Sequence, residues 1–182
     1  MSSRSRLFIA GLLGFALSTA ALPTVTMAQV PLGGIITGND IDRIREIAGA
    51  YGPAERRDGA EGPWIRGEID GIVYSITFLN CDDMQANCST VQFRAWWETD
   101  GQIPVEAMNQ WNRDRRFSAA YIDEEGDATI EWDVNLAGGV TAVNFDDNVQ
   151  WWRAVMVQFR DQVIEGGGAS AEAPAAPPAP VK

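Results

Sequence analysis

The sequence predicts an α+β domain in which helices pack on an antiparallel sheet of about five strands, in the order αβββαββα. Within residues 37–165, apolar residues recur at steps of three and four in some segments and alternate with polar residues in others. The alternating segments follow one another through short turns, which favours antiparallel pairing over a doubly wound parallel sheet. Residues 37–165 are long enough for one hydrophobic core, so a single domain is expected.

Three helices are predicted from capping residues and apolar spacing. The first is capped by Asn39 or Asp40 and ends at Gly52, the second begins at Pro104, and the third is capped by Asn144. The side chains expected to face inward are Ile41, Ile44, Ala48 and Tyr51 in the first helix; Val105, Met108 and Trp111 or Asn112 in the second; and Phe145, Val149, Trp152, Met156, Phe159 and Val163 in the third.

Five strands are predicted from alternation of apolar and polar residues. The dipeptide Asp70-Gly71 tolerates positive φ angles and predicts a two-residue hairpin turn, and Gly138-Gly139 is expected to end the sheet. The predicted strands are residues 64–69, 72–78, 91–98, 118–124 and 128–136.

The two ends of the chain are expected to lie outside the domain. Arg4 and Arg6, the apolar run 7–22 and small residues up to Ala28 are typical of a secretory signal peptide covering residues 1–28. A membrane anchor is the alternative, but the run contains glycine, serine and threonine and is short for a bilayer. The Ala/Pro-rich tail, residues 166–182, is predicted to be disordered. We therefore expect a periplasmic or secreted protein with no membrane span once the signal peptide is removed.

The chain is strongly acidic, with 14 basic and 25 acidic residues and a formal charge of −11. Removal of the predicted signal peptide would take away Arg4 and Arg6 and bring the charge from −11 to −13. Such a field repels nucleic acid and anionic lipid surfaces, so no nucleic-acid partner is expected. A simpler interpretation is that the acidity keeps an exported protein soluble.

Cys81 and Cys88 lie between two predicted adjacent strands and are expected to form a structural disulfide in an oxidising compartment. A redox-active or metal-binding pair would instead require Cys-x-x-Cys or further ligands. The sequence has no other cysteine and no histidine. We predict no metal site and no cofactor, since no glycine-rich phosphate loop is present either.

The lack of histidine excludes the usual serine and cysteine triads and most zinc catalysis. The remaining option is an enzyme that uses paired carboxylates on cell-wall sugar or peptide, for which Asp123, Glu125, Glu131 and Asp133 are the candidates. Asp123 and Glu125 lie in a predicted hairpin tip, residues 123–127, where carboxylates are usually only solvated. The sequence therefore favours a protein that is not an enzyme.

The paired tryptophans Trp96-Trp97 and Trp151-Trp152 each offer one side chain that cannot join the core. Alternation places Trp97 inward and Trp96 outward, and Trp152 belongs to the helical stripe that Trp151 flanks. Trp96 and Trp151 are therefore candidates for contact with a protein partner. The alternative is that another helix or the tail covers them.

Three arginines, Arg113, Arg115 and Arg116, follow one another closely at the end of the second predicted helix, beside Phe117. They either complement the helix dipole and pair with local acids such as Asp114, or bind carboxylates of a partner through their guanidinium forks.

These motifs resemble those of the YbjN-domain family, a group of bacterial proteins with a fold similar to that of type III secretion chaperones. The matching residues are Tyr74-Ser-Ile-Thr-Phe-Leu-Asn-Cys81 with Cys88 and Val91-Gln-Phe93, Asn109-Gln-Trp-Asn112 with Arg116-Phe117 and Ala120-Tyr121, and Asp133-Val-Asn-Leu-Ala-Gly138-Gly139 with Asn144-Phe145 and Trp152. The resemblance implies the αβββαββα order and a non-catalytic regulator or chaperone-like binder that dimerises. Many relatives are cytoplasmic, whereas this chain carries an export signal, so a cytosolic role is not implied.

Together these observations predict an exported, non-catalytic binding or chaperone-like adaptor of the bacterial cell envelope. Its expected partner is another envelope protein, and a homodimer is a further expectation. A structural role in which the Ala/Pro-rich tail reaches another envelope component is a third hypothesis, beside the carboxylate enzyme.

Overall fold

The structure is a computed structural model that describes residues 33–166. The predicted signal peptide and all of the predicted tail except Gly166 lie outside these residues. The elements are β1 (Ile35–Ile36), α1 (Ile41–Gly49), β2 (Ala54–Gly59), β3 (Gly62–Ile69), β4 (Ile72–Leu79), β5 (Thr90–Trp97), α2 (Val105–Asp114), β6 (Ala119–Ile122), β7 (Ala128–Asn135), β8 (Val140–Thr141), α3 (Ala142–Phe159) and a closing π-helical turn (Arg160–Ile164).

Six strands form one antiparallel sheet in the order β2-β3-β4-β5-β7-β6, and β1 pairs separately with β8. The predicted α+β class, the three helices and the antiparallel pairing are confirmed. The sheet has one strand more than predicted because β2, an edge strand whose residues Glu55 to Gly59 are all exposed, lacks the alternation that reveals a buried face. Backbone pairing with β3 holds it in place. The main sheet ends with β7 at Asn135, before Gly138-Gly139, and the separate β1–β8 pair, which the sequence did not predict, lies beyond these glycines.

One face of the sheet packs against the helices and forms the core. Tyr74 and Phe93 from this face contact Trp152 of α3, with ring centroids 6.3 and 5.6 Å from the indole. Gly67 on β3 makes room for the Tyr74 ring, which a β-carbon at residue 67 would overlap. The predicted α3 stripe is buried along its whole length. The opposite face carries polar side chains together with Trp64, Val73, Leu79 and Trp96.

Two predicted helix details are wrong. Asn144 does not cap α3, because the Oγ1 atom of Thr141 accepts a hydrogen bond from the backbone N–H of Asn144 at 3.2 Å, so Thr141 is the cap. Val105 does not face inward and is 54% exposed. The buried side of α2 is formed by Ala107, Met108 and Trp111, and Val105 lies outside this stripe.

The predicted disulfide between Cys81 and Cys88 is present in the loop between β4 and β5, with an S–S distance of 2.10 Å. The Asp82 carboxylate organises this loop by accepting hydrogen bonds from the Asn87 amide at 2.7 Å and from the backbone N–H groups of Met84 and Ala86. These bonds, the Asn87 bond foremost, hold the pKa of Asp82 below its usual value. Residues 33–166 contain no helix that is both long and apolar enough to cross a membrane.

Candidate partner-binding groove

A groove with a cavity of about 200 Å³ opens between the end of α2 and the outer side of α3. We call it the aromatic groove. The chain from α2 towards β6 contributes Trp111, Asp114, Arg115, Arg116 and Phe117. Helix α3 contributes Trp151, Val155 and Gln158.

The backbone after α2 aims the Phe117 side chain into the groove. Helix α2 stops at Asp114 because Arg115 is extended, and Phe117 then adopts a left-handed conformation with φ of 67°. An aromatic residue rarely adopts this conformation, which persists only where its surroundings impose it, and such residues cluster at functional sites. The Phe117 ring lies between two indoles, with centroids 5.4 Å from Trp132 and 5.1 Å from Trp151. Phe117 and Trp151 remain 42% and 44% exposed, so the groove presents aromatic surface to solvent.

The Asn-x-Trp-Asn motif fixes the wall of the groove. Trp111 is buried edge-on against Phe159 at 5.0 Å, and its indole N–H donates to the Ser118 hydroxyl at 2.9 Å. The Asn112 side chain accepts from the backbone N–H of Ala120 at 2.7 Å and donates to the Ala120 carbonyl at 2.8 Å. Strand β6 lies at the edge of the sheet, where unpaired backbone groups can bind another strand. Asn112 prevents this at Ala120, because its side chain satisfies both the N–H and the carbonyl group.

The arginines of the groove are not used in ion pairs. Eleven arginines lie within residues 33–166, and nine of them form ion pairs with carboxylates there. The two exceptions in this range are Arg115 and Arg116. The Arg115 guanidinium lies over the Trp111 ring at 5.8 Å and donates to the Gln162 side chain at 2.7 Å. The Arg116 guanidinium lies over the Phe117 ring at 5.1 Å.

The structure brings together three of the five residues expected to contact a partner, namely Trp151, Arg115 and Arg116. Arg113 does not line the groove and pairs with Asp114 at 3.0 Å, which is the local pairing that the simpler interpretation of the arginines predicts. Trp96 is 44% exposed as expected, but it lies on the open face of the sheet, on the side opposite the helices. The two tryptophans therefore belong to separate surfaces.

Sequence reasoning did not assign Phe117, Trp111 or Trp132 to the contact surface. The adjacency of Arg116 and Phe117 was a usable signal, since a cation beside an aromatic ring is a common binding pair. The contact between Phe117 and Trp132 joins a loop to a strand and has no signature in the sequence.

Two of the four candidate carboxylates, Asp123 and Glu131, lie in a network around Arg94 of β5. The Arg94 guanidinium is 3.4 Å from Asp123 and 3.5 Å from Glu131. Glu131 also accepts from the Tyr121 hydroxyl at 2.5 Å, and Asp123 accepts from the Thr129 hydroxyl at 3.2 Å. Burial, followed by the bond to Glu131, raises the pKa of Tyr121 to about 12.

Two of the proposed catalytic acids, Asp123 and Glu131, thus converge, while Asp133 accepts instead from Gln92 at 3.1 Å. Glu125 is exposed near the tip of the β6–β7 turn. Along the described part of the chain, no group of three or more acidic or cysteine side chains is placed to hold a metal ion.

Comparison with known proteins places residues 40–165 of this architecture in one family. A family model described as "Putative bacterial sensory transduction regulator" matches residues 40–165. The protein belongs to the YbjN family. The match runs from α1 to the end of the π-helical turn and so includes all six strands of the main sheet and the aromatic groove. The resemblance drawn from the motifs is confirmed, and the description names a regulator. A search of curated proteins found no matching sequence.

Proposed function

We propose that this YbjN protein is an exported, non-catalytic regulatory adaptor of the bacterial cell envelope that binds a protein partner through the aromatic groove. One observation carries the proposal: Arg115 and Arg116, the arginines without carboxylate partners in residues 33–166, border the half-exposed rings of Phe117 and Trp151. Aromatic and arginine side chains are the residue types that dominate binding energy at protein interfaces.

The regulatory role rests on the family, whose description is that of a sensory transduction regulator. A regulator without its own reaction acts by changing what a partner does, and it therefore requires a surface that a partner can recognise. The aromatic groove supplies such a surface, because it combines exposed rings with unpaired charge.

Export is supported by the Cys81–Cys88 disulfide, since disulfides persist in oxidising compartments such as the periplasm. The residue pattern of 1–28 supports a signal peptide, and the composition of 166–182 supports a disordered tail beyond the domain. These observations support a periplasmic or secreted location. A second copy of the chain is a further candidate partner, which sedimentation of the purified protein would reveal as a concentration-dependent dimer.

The alternative function, a carboxylate enzyme acting on cell-wall sugar or peptide, is favoured by one observation, the convergence of Asp123 and Glu131. Both carboxylates are already engaged within the protein, because each lies within 3.5 Å of the Arg94 guanidinium and accepts a hydrogen bond from a neighbouring hydroxyl group. Incubation of purified protein with peptidoglycan fragments tests the alternative. Turnover that disappears in Glu131→Gln would establish an enzyme, and we expect no turnover.

The binding proposal is tested by affinity capture from envelope extracts with the wild type, Trp151→Ala and Trp96→Ala. These variants remove equally exposed indoles from opposite sides of the sheet. We expect a partner retained by the wild type and by Trp96→Ala and lost with Trp151→Ala. Loss with Trp96→Ala alone would transfer the binding surface to the open face of the sheet and contradict the groove.

A further inference from the structure

We infer that the aromatic groove selects an acidic peptide segment, in which one apolar side chain is flanked by carboxylates. The inference rests on the proposed function and names the chemistry of its partner. Four properties of the described residues carry it: the way the arginines are held, the charge around them, the size of the cavity and the charge of the whole chain.

The two arginines are held so that they can still donate hydrogen bonds. The guanidinium carbon of Arg115 lies over the Trp111 ring and that of Arg116 over the Phe117 ring, 5.8 and 5.1 Å from the ring centroids. Neither guanidinium is paired with a carboxylate of residues 33–166, so N–H groups remain to meet a ligand carboxylate in a two-point contact. One nitrogen of the Arg115 guanidinium donates a hydrogen bond to the Gln162 side chain, which fixes the position of Arg115 and leaves its other N–H groups available.

The local charge of the groove is positive because its one acid is already neutralised. Asp114 lines the groove, but both of its carboxylate oxygens accept from Arg113, at 3.0 and 3.4 Å. The function of Arg113 is then to prevent Asp114 from pairing with Arg115 or Arg116. A carboxylate ligand meets two unpaired cations.

The cavity fits a single side chain. Pockets for whole small molecules measure about 300–1,000 Å³, whereas this cavity measures about 200 Å³. Its apolar surfaces are the rings of Phe117 and Trp151 and the buried Val155. An aromatic or large aliphatic side chain seated there would place neighbouring carboxylates of the same peptide beside the arginines.

The charge of the whole chain limits the ligand to a short segment. At a net charge of −11 the protein repels extended polyanions, including nucleic acid. That repulsion is screened beyond about 8 Å at physiological ionic strength, whereas contacts within the groove are shorter than this length. A short acidic motif can therefore bind where a large acidic surface is repelled.

The test measures fluorescence anisotropy of a labelled peptide, Gly-Ser-Glu-Glu-Phe-Glu-Glu-Ser-Gly, titrated with the full chain at physiological ionic strength. One control peptide replaces every glutamate by glutamine and another replaces phenylalanine by serine. We expect the acidic peptide to bind about tenfold more tightly than either control, because charge-assisted contacts and burial of the ring both contribute. Equal binding of the glutamine peptide would overturn the inference, as would tighter binding of a peptide carrying phosphoserine in place of glutamate.

Charge-matched variants locate the contact. Arg115→Gln and Arg116→Gln are each expected to weaken binding about threefold to fivefold, whereas Arg57→Gln, the same change on the edge strand β2, leaves it unaltered. Arg113→Gln also weakens binding, because it releases Asp114. Arg115→Lys keeps the charge but loses the planar fork, and it is expected to resemble Arg115→Gln. Circular dichroism and thermal melting confirm that each variant is folded. An equal loss with Arg57→Gln would show a general charge effect and overturn the inference.

The inference and the proposed function fail in different ways. A partner captured through Trp151, together with no selectivity for the acidic peptide, overturns the inference and leaves the function standing.

A competition experiment tests whether the chain's own tail binds in the groove. Addition of excess unlabelled peptide matching residues 167–182 must leave binding of the acidic peptide unchanged. Displacement by that peptide would make the chain's own tail the occupant of the groove and overturn the inference.

Discussion

Asn112 is expected to hold the wall of the groove together, and its replacement by alanine tests this directly. The substitution removes two hydrogen bonds, one to the N–H and one to the carbonyl of Ala120. Each contributes about 1 kcal/mol net, so loss of the two bonds should lower the free energy of unfolding by about 2 kcal/mol, before the smaller gain in helix propensity. At a typical m-value of about 2 kcal/mol per molar, the urea midpoint should fall by roughly 1 M.

Asn109→Ala is the matched control, because Asn109 is an exposed asparagine on the same helix. Both substitutions gain a similar helix propensity, so the difference between them isolates the two hydrogen bonds. Urea unfolding followed by circular dichroism measures both variants. Equal midpoints for Asn112→Ala and Asn109→Ala would refute the edge-closing function of Asn112.

Asn112→Asp adds a signature that general destabilisation cannot imitate. The aspartate can still accept from the Ala120 N–H, but as a carboxylate it faces the Ala120 carbonyl without a proton to donate. Its unfolding free energy should be lower than that of the wild type at pH 7. Protonation restores the donor, so the difference between this variant and the wild type should shrink near pH 4.

Three further predictions concern stability. Trp152→Ala should cost about 3–5 kcal/mol in the free energy of unfolding because the side chain is fully buried, whereas Trp151→Ala should cost far less; similar urea midpoints would contradict the packing of α3. Replacing both Cys81 and Cys88 by serine should cost on the order of 2 kcal/mol, and an unchanged midpoint would show that the disulfide adds no stability. The pKa of Asp82 is lower in the folded than in the unfolded state, so its contribution is present above about pH 3.9 and is lost as the pH falls through the folded value. Stability of Asp82→Asn measured from pH 7 to pH 2.5 should therefore show a weaker acid dependence than the wild type, and parallel curves would contradict the prediction.

The elements that the sequence predicts correctly are those with one buried face. Helix α3 was found because its apolar residues recur every three or four positions, and β7 because its apolar residues alternate. Strand β2 is not predicted from the sequence, because its side chains face solvent and show no alternation of apolar and polar residues. Capping was misassigned because Thr141 and Asn144 are both good caps, and sequence alone does not show where the helical backbone begins.

The groove could be predicted only in part, since it is assembled from distant segments. Trp151 was identified because it flanks a stripe, and the arginines because they stand out in an acidic chain. That Trp96 and Trp151 face opposite sides of the sheet depends on topology, which local patterns do not encode. The predicted pairing of the arginines with local acids is confirmed for Arg113. It does not hold for Arg115 and Arg116, because the nearby Asp114 carboxylate is paired with Arg113.

The central claim is that this protein acts by binding a partner at the aromatic groove, and photocrosslinking in living cells tests it most directly. A benzophenone amino acid is placed at residue 151 of the full chain, and as a control at Glu61, an exposed residue on the β2–β3 turn at the far edge of the sheet. We predict a discrete crosslinked protein from residue 151 and none from residue 61. The same adducts from both positions, or none from residue 151, would contradict the account.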